Sequence, residues 1–209
     1  MEKNVTDILF EYEKRAAKES ALVRDLEMMD ISEMQKHADE LLLSVGPATG
    51  QLINLLAKEM KAKTLLEVGS SYGYSTVWLA EAARHTGGKV ISLEIHPEKQ
   101  KHTRSSIDKA GLSGFVDFRL GDARDSLSKL EQSVDFVLLD LWKNFYIECF
   151  DLFYPKLRDG ALIVADNMLY PESARPYAEA YRKHIRTKPG IESVLLTVGS
   201  GLELTRYKP

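Results

Sequence analysis

At 209 residues, with 44 % hydrophobic and 28 % charged residues, the chain has the composition of a globular protein and length for one domain with a substantial core. A formal charge of −3 and a pI near 6.0 give no electrostatic platform for nucleic acid. The single cysteine, Cys149, excludes an internal disulfide and a multi-cysteine metal site. No apolar run approaches the ~18 residues of a membrane span, and the opening segment lacks the apolar stretch of a signal peptide. The cytoplasm is therefore the expected location.

Residues 1 to about 62 read as helical throughout, a cap preceding a core that starts at residue 63 and runs to 209 within the same domain. Ile8, Leu9, Tyr12 and Ala16 share one helical face. Met34, His37, Ala38, Leu41 and Leu42 share another, on a helix that Asp30 or Ser32 could cap, and Met28 and Met29 are expected as core filler. After Gly46-Pro47 a third helix should run through Gln51, Leu52, Leu55 and Leu56. From residue 63 apolar strands alternate with helix-length segments: TLLEVG, KVISLEI, FVDFRL, DFVLLD and ALIVAD. That rhythm predicts a Rossmann-like, doubly wound α/β fold with a mostly parallel seven-stranded sheet. SVLLTV and GLELTRY, joined by Gly199-Ser200-Gly201, have no room for a crossover and should close it as an antiparallel hairpin.

Polar residues at the strand ends carry the chemistry, because open α/β sheets bind ligands at their C-terminal edge. The first strand runs into LLEVGSSYGYSTVWLA, where Gly69 and Gly73 enclose a turn before a helix. A dinucleotide fold would have G-x-G-x-x-G; this is G-x-x-x-G, preceded by Glu67, an acid that suits a cationic or amine-bearing ligand better than a pyrophosphate. Glu94-Ile95 closes the second strand, where a carboxylate can accept both hydroxyls of a ribose. Gly121-Asp122-Ala123 ends the third and would flank an adenine. Together the three point to S-adenosylmethionine. Asp140-Leu141-Trp142-Lys143 and Asp166-Asn167 end the next two strands. Two carboxylates and an amide oxygen make a hard, all-oxygen donor set suited to Mg²⁺, with Mn²⁺ or Ca²⁺ as substitutes. Lys143 is the candidate base beside it. The plainer reading of each Asp and Asn is a helix cap.

From about Val45 to Tyr207 the chain resembles the small, metal-dependent class I O-methyltransferases, the family of catechol and caffeoyl-CoA O-methyltransferases and their bacterial relatives. VGPATGQL, beginning at Val45, resembles the segment that holds the methionine carboxylate. EVGSSYGYS resembles the cofactor turn, with Ser71 and Tyr72 in it, Gly69 packing under the cofactor and Ser75 placed to hold the carboxylate. The resemblance implies Glu94 as the ribose acid, Asp140, Asp166 and Asn167 as metal ligands, Lys143 as the catalytic lysine, and Asp140 and Trp142 also bordering the cofactor. It further implies a homodimer and a small aromatic acceptor with vicinal hydroxyls. D-x-W-K is nearer the catechol form than the D-A-D-K of the plant enzymes. Three positions depart from the catechol pattern: Leu141 for a histidine beside the adenine, Leu41 for a substrate-walling tryptophan, and Val194 for a carboxylate facing the second hydroxyl.

The chemistry accounts for these residue types. Methyl transfer from a sulfonium needs an oxyanion nucleophile, while a phenol with a pKa near ~10 is almost wholly protonated at neutral pH. A chelated cation acidifies the hydroxyl, and a lysine beside it can take the proton. Trp142 would wall a planar substrate. The alternative acceptor is a tRNA hydroxyuridine, against which the charge and the lack of a basic arm argue. An NAD-dependent oxidoreductase lacks its glycine motif, and a non-catalytic module would not need Lys143. Of the five histidines, only His96 falls near the expected cofactor.

Overall fold

The computed structural model describes residues 1–37 and 40–209, without the side chains of Ile31 and Gln35. Helix α1 (Lys3–Glu27) forms because Val5, Ile8, Leu9 and Tyr12 recur at helical spacing and bury one stripe. Helix α2 (Ile31–His37) starts at Asp30, whose Oδ1 accepts the Glu33 N–H at 3.0 Å and the Ser32 hydroxyl at 2.7 Å. Helix α3 (Gly46–Glu59) runs through Gln51, Leu52, Leu55 and Leu56 as expected, burying Thr49, Ile53 and Ala57 and leaving Gln51 and Leu55 outside.

The expectation of helix throughout residues 1 to 62 fails at residues 41–45. The expected stripe breaks there: His37 is exposed beside Glu33, Ala38 lies outside the described residues, and Leu41 and Leu42 follow an irregular path. The cause is side-chain competition for the backbone. Glu19 Oε2 accepts the Leu42 N–H at 2.6 Å, and Arg15 Nη2 donates to the Glu40 carbonyl at 2.7 Å. Groups that a helix would pair internally are paired by α1 instead. Met28 is 89 % exposed, so it fills no core.

Seven strands follow: β1 (Thr64–Val68), β2 (Lys89–Glu94), β3 (Val116–Leu120), β4 (Val134–Leu139), β5 (Leu157–Ala165), β6 (Ile191–Leu196) and β7 (Leu202–Tyr207). The sheet order is β3-β2-β1-β4-β5-β7-β6, parallel from β3 to β5, with β7 antiparallel to both β5 and β6. Helices α4 (Tyr74–Thr86), α5 (Pro97–Lys109), α6 (Ala123–Ser128), α7 (Tyr146–Phe153) and α8 (Arg175–Ile185) complete the chain.

Because the central strands β1 and β4 are buried on both faces, successive residues feed two cores. Leu65, Phe136 and Leu138 pack with α1, α3, α4 and α5, while Leu66, Val137 and Leu139 pack with α6, α7 and α8. A third cluster is small: Leu26 and Met34 are buried with Met29, Leu41, Leu43 and Trp142 against them. Glu203 on β7 is fully buried, yet accepts Arg182 Nε and Arg186 Nη2 at 2.7 Å each and the Ser193 hydroxyl at 2.7 Å, tying the hairpin to α8. No helix among the described residues is long and apolar enough to cross a membrane.

Candidate active site

Parallel register brings four strand ends to one edge. Val68 stands beside Leu93 and Leu139, and Leu139 beside Ala165, so the residues that follow each strand emerge together. The order reverses between β1 and β4, which opens a crevice there. It holds a cavity of about 530 Å³. A Cβ on Gly69, at φ 92°, would overlap the carbonyl of Asp140, so glycine is what lets the ends of β1 and β4 approach this closely.

One end of the cavity is lined by Gly69, Ser71, Glu94, Ile95, Gly121, Asp122 and Ala123, as the sequence reading placed them, and by His96. Glu94 is buried; its Oε2 accepts the Ser71 N–H at 2.7 Å and its Oε1 the His96 N–H at 2.8 Å, so the carboxylate stands braced between two loops. Asp122 caps α6 through the Arg124 N–H at 2.8 Å and also binds the Arg124 side chain, whose guanidinium holds its carboxyl below the usual range. The cap reading and the cavity position are thus both true of Asp122. Val45, Tyr72, Gly73 and Ser75 do not line this cavity; they line a small cleft that continues from it past Ser44 and Ser71.

Glu67 lines neither, which corrects its expected contact with a ligand. It is fully buried beneath the glycine turn, accepting the hydroxyls of Ser75 at 2.7 Å, Thr76 at 2.7 Å and Ser92 at 2.6 Å. Burial pushes its carboxyl up to about 7 against the pull of those hydroxyls. It acts on the site through Ser75, whose hydroxyl it occupies.

At the other end stand Asp140, Leu141, Trp142, Lys143, Asp166 and Asn167. Lys143 is only 8 % exposed; its Nζ donates to Tyr146 Oη at 2.7 Å, the Leu141 carbonyl at 3.0 Å and Asn167 Oδ1 at 3.0 Å, and lies 3.6 Å from Asp140 Oδ1. Burial lowers its ammonium pKa, opposed by Asp140 and Asp166. Burial raises both carboxyls, Asp166 to about 8 with Asp140's charge adding to it. Asp166 Oδ1 is buried without a hydrogen-bond partner among the described residues. Asn167 sits at φ 57°, a left-handed conformation that costs a non-glycine residue energy, with its Oδ1 accepting Lys143 Nζ. Two acids short of positive charge, one orphaned oxygen and a strained amide fit a hard divalent cation. Among the described residues no three His, Cys, Asp or Glu side chains cluster, and the third donor here is the amide of Asn167.

Tyr146, which fixes Lys143, was missed in the sequence reading; its only signal is the spacing of three residues from Lys143 at the start of α7. The α1 residues that line the cavity were missed as well. Leu141 lines the cavity as expected, but Leu41 does not, and Leu42 and Leu43 do. Val194 is half exposed on β6 and absent from the cavity wall, where Ser200 from the β6–β7 turn stands instead.

The sequence profile of the O-methyltransferase family matches residues 13–208. The chain belongs to that family. It is 38 % identical over 131 residues to a catechol O-methyltransferase of Niastella koreensis, covering 61 % of this chain and 59 % of that protein. It is 31 % identical over 186 residues to caffeoyl-CoA O-methyltransferase 2 of Eucalyptus globulus, covering 79 % of this chain and 75 % of the other. The solved O-methyltransferase from Bacillus cereus in complex with SAH superposes with a TM-score of 0.73 at 26 % identity, over 94 % of this chain and all of the other. Sequence and fold are thus those of a SAM-dependent O-methyltransferase of the catechol and caffeoyl-CoA type. The Niastella match reaches less than two thirds of that enzyme's length.

Proposed function

We propose that this protein transfers a methyl group from S-adenosylmethionine to one hydroxyl of a small aromatic acceptor with vicinal hydroxyls, with a divalent cation held by Asp140, Asp166 and Asn167. The observation that carries the reading is the orphaned Asp166 oxygen beside a buried lysine, in the cavity whose other end is Glu94. S-adenosylmethionine supplies the methyl group as a sulfonium. A divalent cation supplies the positive charge that makes a chelating hydroxyl acidic.

The chain's own residues do the rest. Glu94 accepts the ribose hydroxyls, and Gly121 to Ala123 border the adenine. Lys143, pushed toward its neutral amine by burial, takes the hydroxyl proton at Nζ. Tyr146 Oη accepts from that nitrogen and donates to the Leu139 carbonyl at 2.9 Å, which fixes where the amine points. Leu141 and Trp142 exclude water, so the acceptor oxygen and the methyl group need only be held in line. The relatives named above bear the names of small-molecule enzymes, which lends a tRNA acceptor no support.

Purified protein assayed with labelled S-adenosylmethionine should methylate catechols in Mg²⁺ or Mn²⁺ and stop in excess EDTA. Asp166→Ala should abolish turnover and still bind the cofactor, because the cation serves the acceptor. Full turnover in EDTA would leave Asp140, Asp166 and Asn167 without a cation to hold.

A further inference from the structure

The second half of α1 roofs the acceptor end of the cavity, which is known as such because Trp142, two residues from Asp140, packs on Leu26 and Met34. Ser20, Arg24 and Glu27 line the cavity from one stripe of that helix. Neither Arg24 nor Glu27 has a hydrogen bond or ion pair among the described residues. Three exposed pairs at this spacing close elsewhere in the chain: Lys36 to Glu33 at 2.9 Å, Arg175 to Glu172 at 3.2 Å and Lys101 to Glu98 at 3.6 Å. All three place the acid first; Arg24 precedes Glu27, the weaker order on a helix. The two charges therefore stay apart at the cavity wall, Arg24 exposed and Glu27 half-buried, on a stripe that also carries Ser20. Glu27 is half-buried with nothing among the described residues to offset its lost hydration.

We propose that Arg24 and Glu27 read a zwitterion, and that the acceptor is an aromatic α-amino acid carrying the vicinal hydroxyls on its ring. The guanidinium fork suits a carboxylate and the Glu27 carboxylate an ammonium. An α-amino acid bears both charges on one carbon, which matches opposite side chains about 5–6 Å apart at Cβ on one helical turn. An acceptor with a single charge would leave the other side chain unmatched in a partly dry cavity. This inference rests on the proposed function, since the ring hydroxyls are located by the Asp140, Asp166 and Asn167 end.

The test compares dihydroxyphenylalanine with its decarboxylated amine, its deaminated acid and uncharged methylcatechol. Both kcat/KM with Mg²⁺ and calorimetric binding to the SAH-loaded protein are measured. The amino acid should lead each singly charged acceptor by roughly five- to tenfold, the size of a partly exposed charge contact. Arg24→Leu should erase its lead over the amine, and Glu27→Gln its lead over the acid. Asp25→Asn, one residue along but facing solvent, should preserve the ranking. Equal ranking of all four acceptors, preference for a singly charged one, or a ranking that survives both cavity substitutions would overturn the reader. Metal-dependent methylation of methylcatechol without any ranking would sink the reader and leave the proposed function standing. The expected binding ranking without methylation of any catechol would do the reverse.

Discussion

Glu67 offers a sharp test of how burial and hydrogen bonding balance beneath the cofactor turn. Its carboxyl is fully buried and accepts three hydroxyls, yet burial wins and carries the pKa from an ordinary 4.5 to about 7. At about 1.36 kcal/mol per pH unit of displacement, that rise corresponds to about 3 kcal/mol. The sign follows from proton counting. Below pH 4.5 both folded and unfolded chains hold the proton, and the contribution to stability is complete. Between 4.5 and about 7 the unfolded chain ionises while the folded one does not, so stability falls as pH rises through the folded pKa. Glu67→Gln cannot ionise, and its amide can exchange hydrogen bonds with hydroxyls that rotate. Urea unfolding of both proteins from pH 4.5 to 7.5 should show the wild type losing about 3 kcal/mol relative to the variant. Asp140 and Asp166 are present in both proteins, and burial, the largest influence on Glu67, sets the main part of the difference. Parallel curves would refute the reasoning: the three hydroxyls would then offset burial, and Glu67 would be a standing anion under the turn, as its place in the sequence first suggested.

Glu94→Ala should weaken S-adenosylmethionine binding by about 1.5–3 kcal/mol, the loss of charge-assisted hydrogen bonds, read by calorimetry; unchanged affinity would remove Glu94 from the cofactor. Lys143→Ala should lower kcat by about 10²–10⁴-fold, less at high pH and less for acceptors with electron-withdrawing substituents, which ionise unaided; Tyr146→Phe should show the same trend more weakly, because it loosens the base without removing it. Glu203→Ala should cost about 2–3 kcal/mol in denaturant unfolding, the low side for breaking a buried ion pair, because Arg186 at 47 % exposure can return to water.

The central strands were legible because β1, β2, β4 and β5 each carry a buried apolar run that leads to polar residues at the sheet edge. For the same reason most of the site was legible: a polar residue ending such a run must emerge at the sheet edge. What the sequence hid depends on partners far along the chain. Segment 40–45 has the composition of helix and is held out of it by Arg15 and Glu19, some 23 to 25 residues earlier. Tyr146 looks like any core aromatic until Lys143 is seen to point at it. Glu67 looks like a ligand because of its position in the motif, and only the three hydroxyls reaching it from α4 and β2 show it to be a buried support.

Burial is the common thread between Glu67, Lys143, Asp140 and Asp166. Each sits where desolvation, rather than a neighbouring charge, is the largest influence on its proton. Such sites lower stability, and the fold supports them by rigid means: the close approach of β1 and β4 at Gly69, the left-handed Asn167, and the Tyr146 hydroxyl anchored on the Leu139 carbonyl. Glu67 has three donors and lies apart from the cavity wall, so its altered proton affinity serves the turn above it. Asp166 keeps an oxygen without a donor and lies on the wall. That difference in satisfaction, between two buried acids of similar proton affinity, separates a structural carboxylate from one kept open for a ligand.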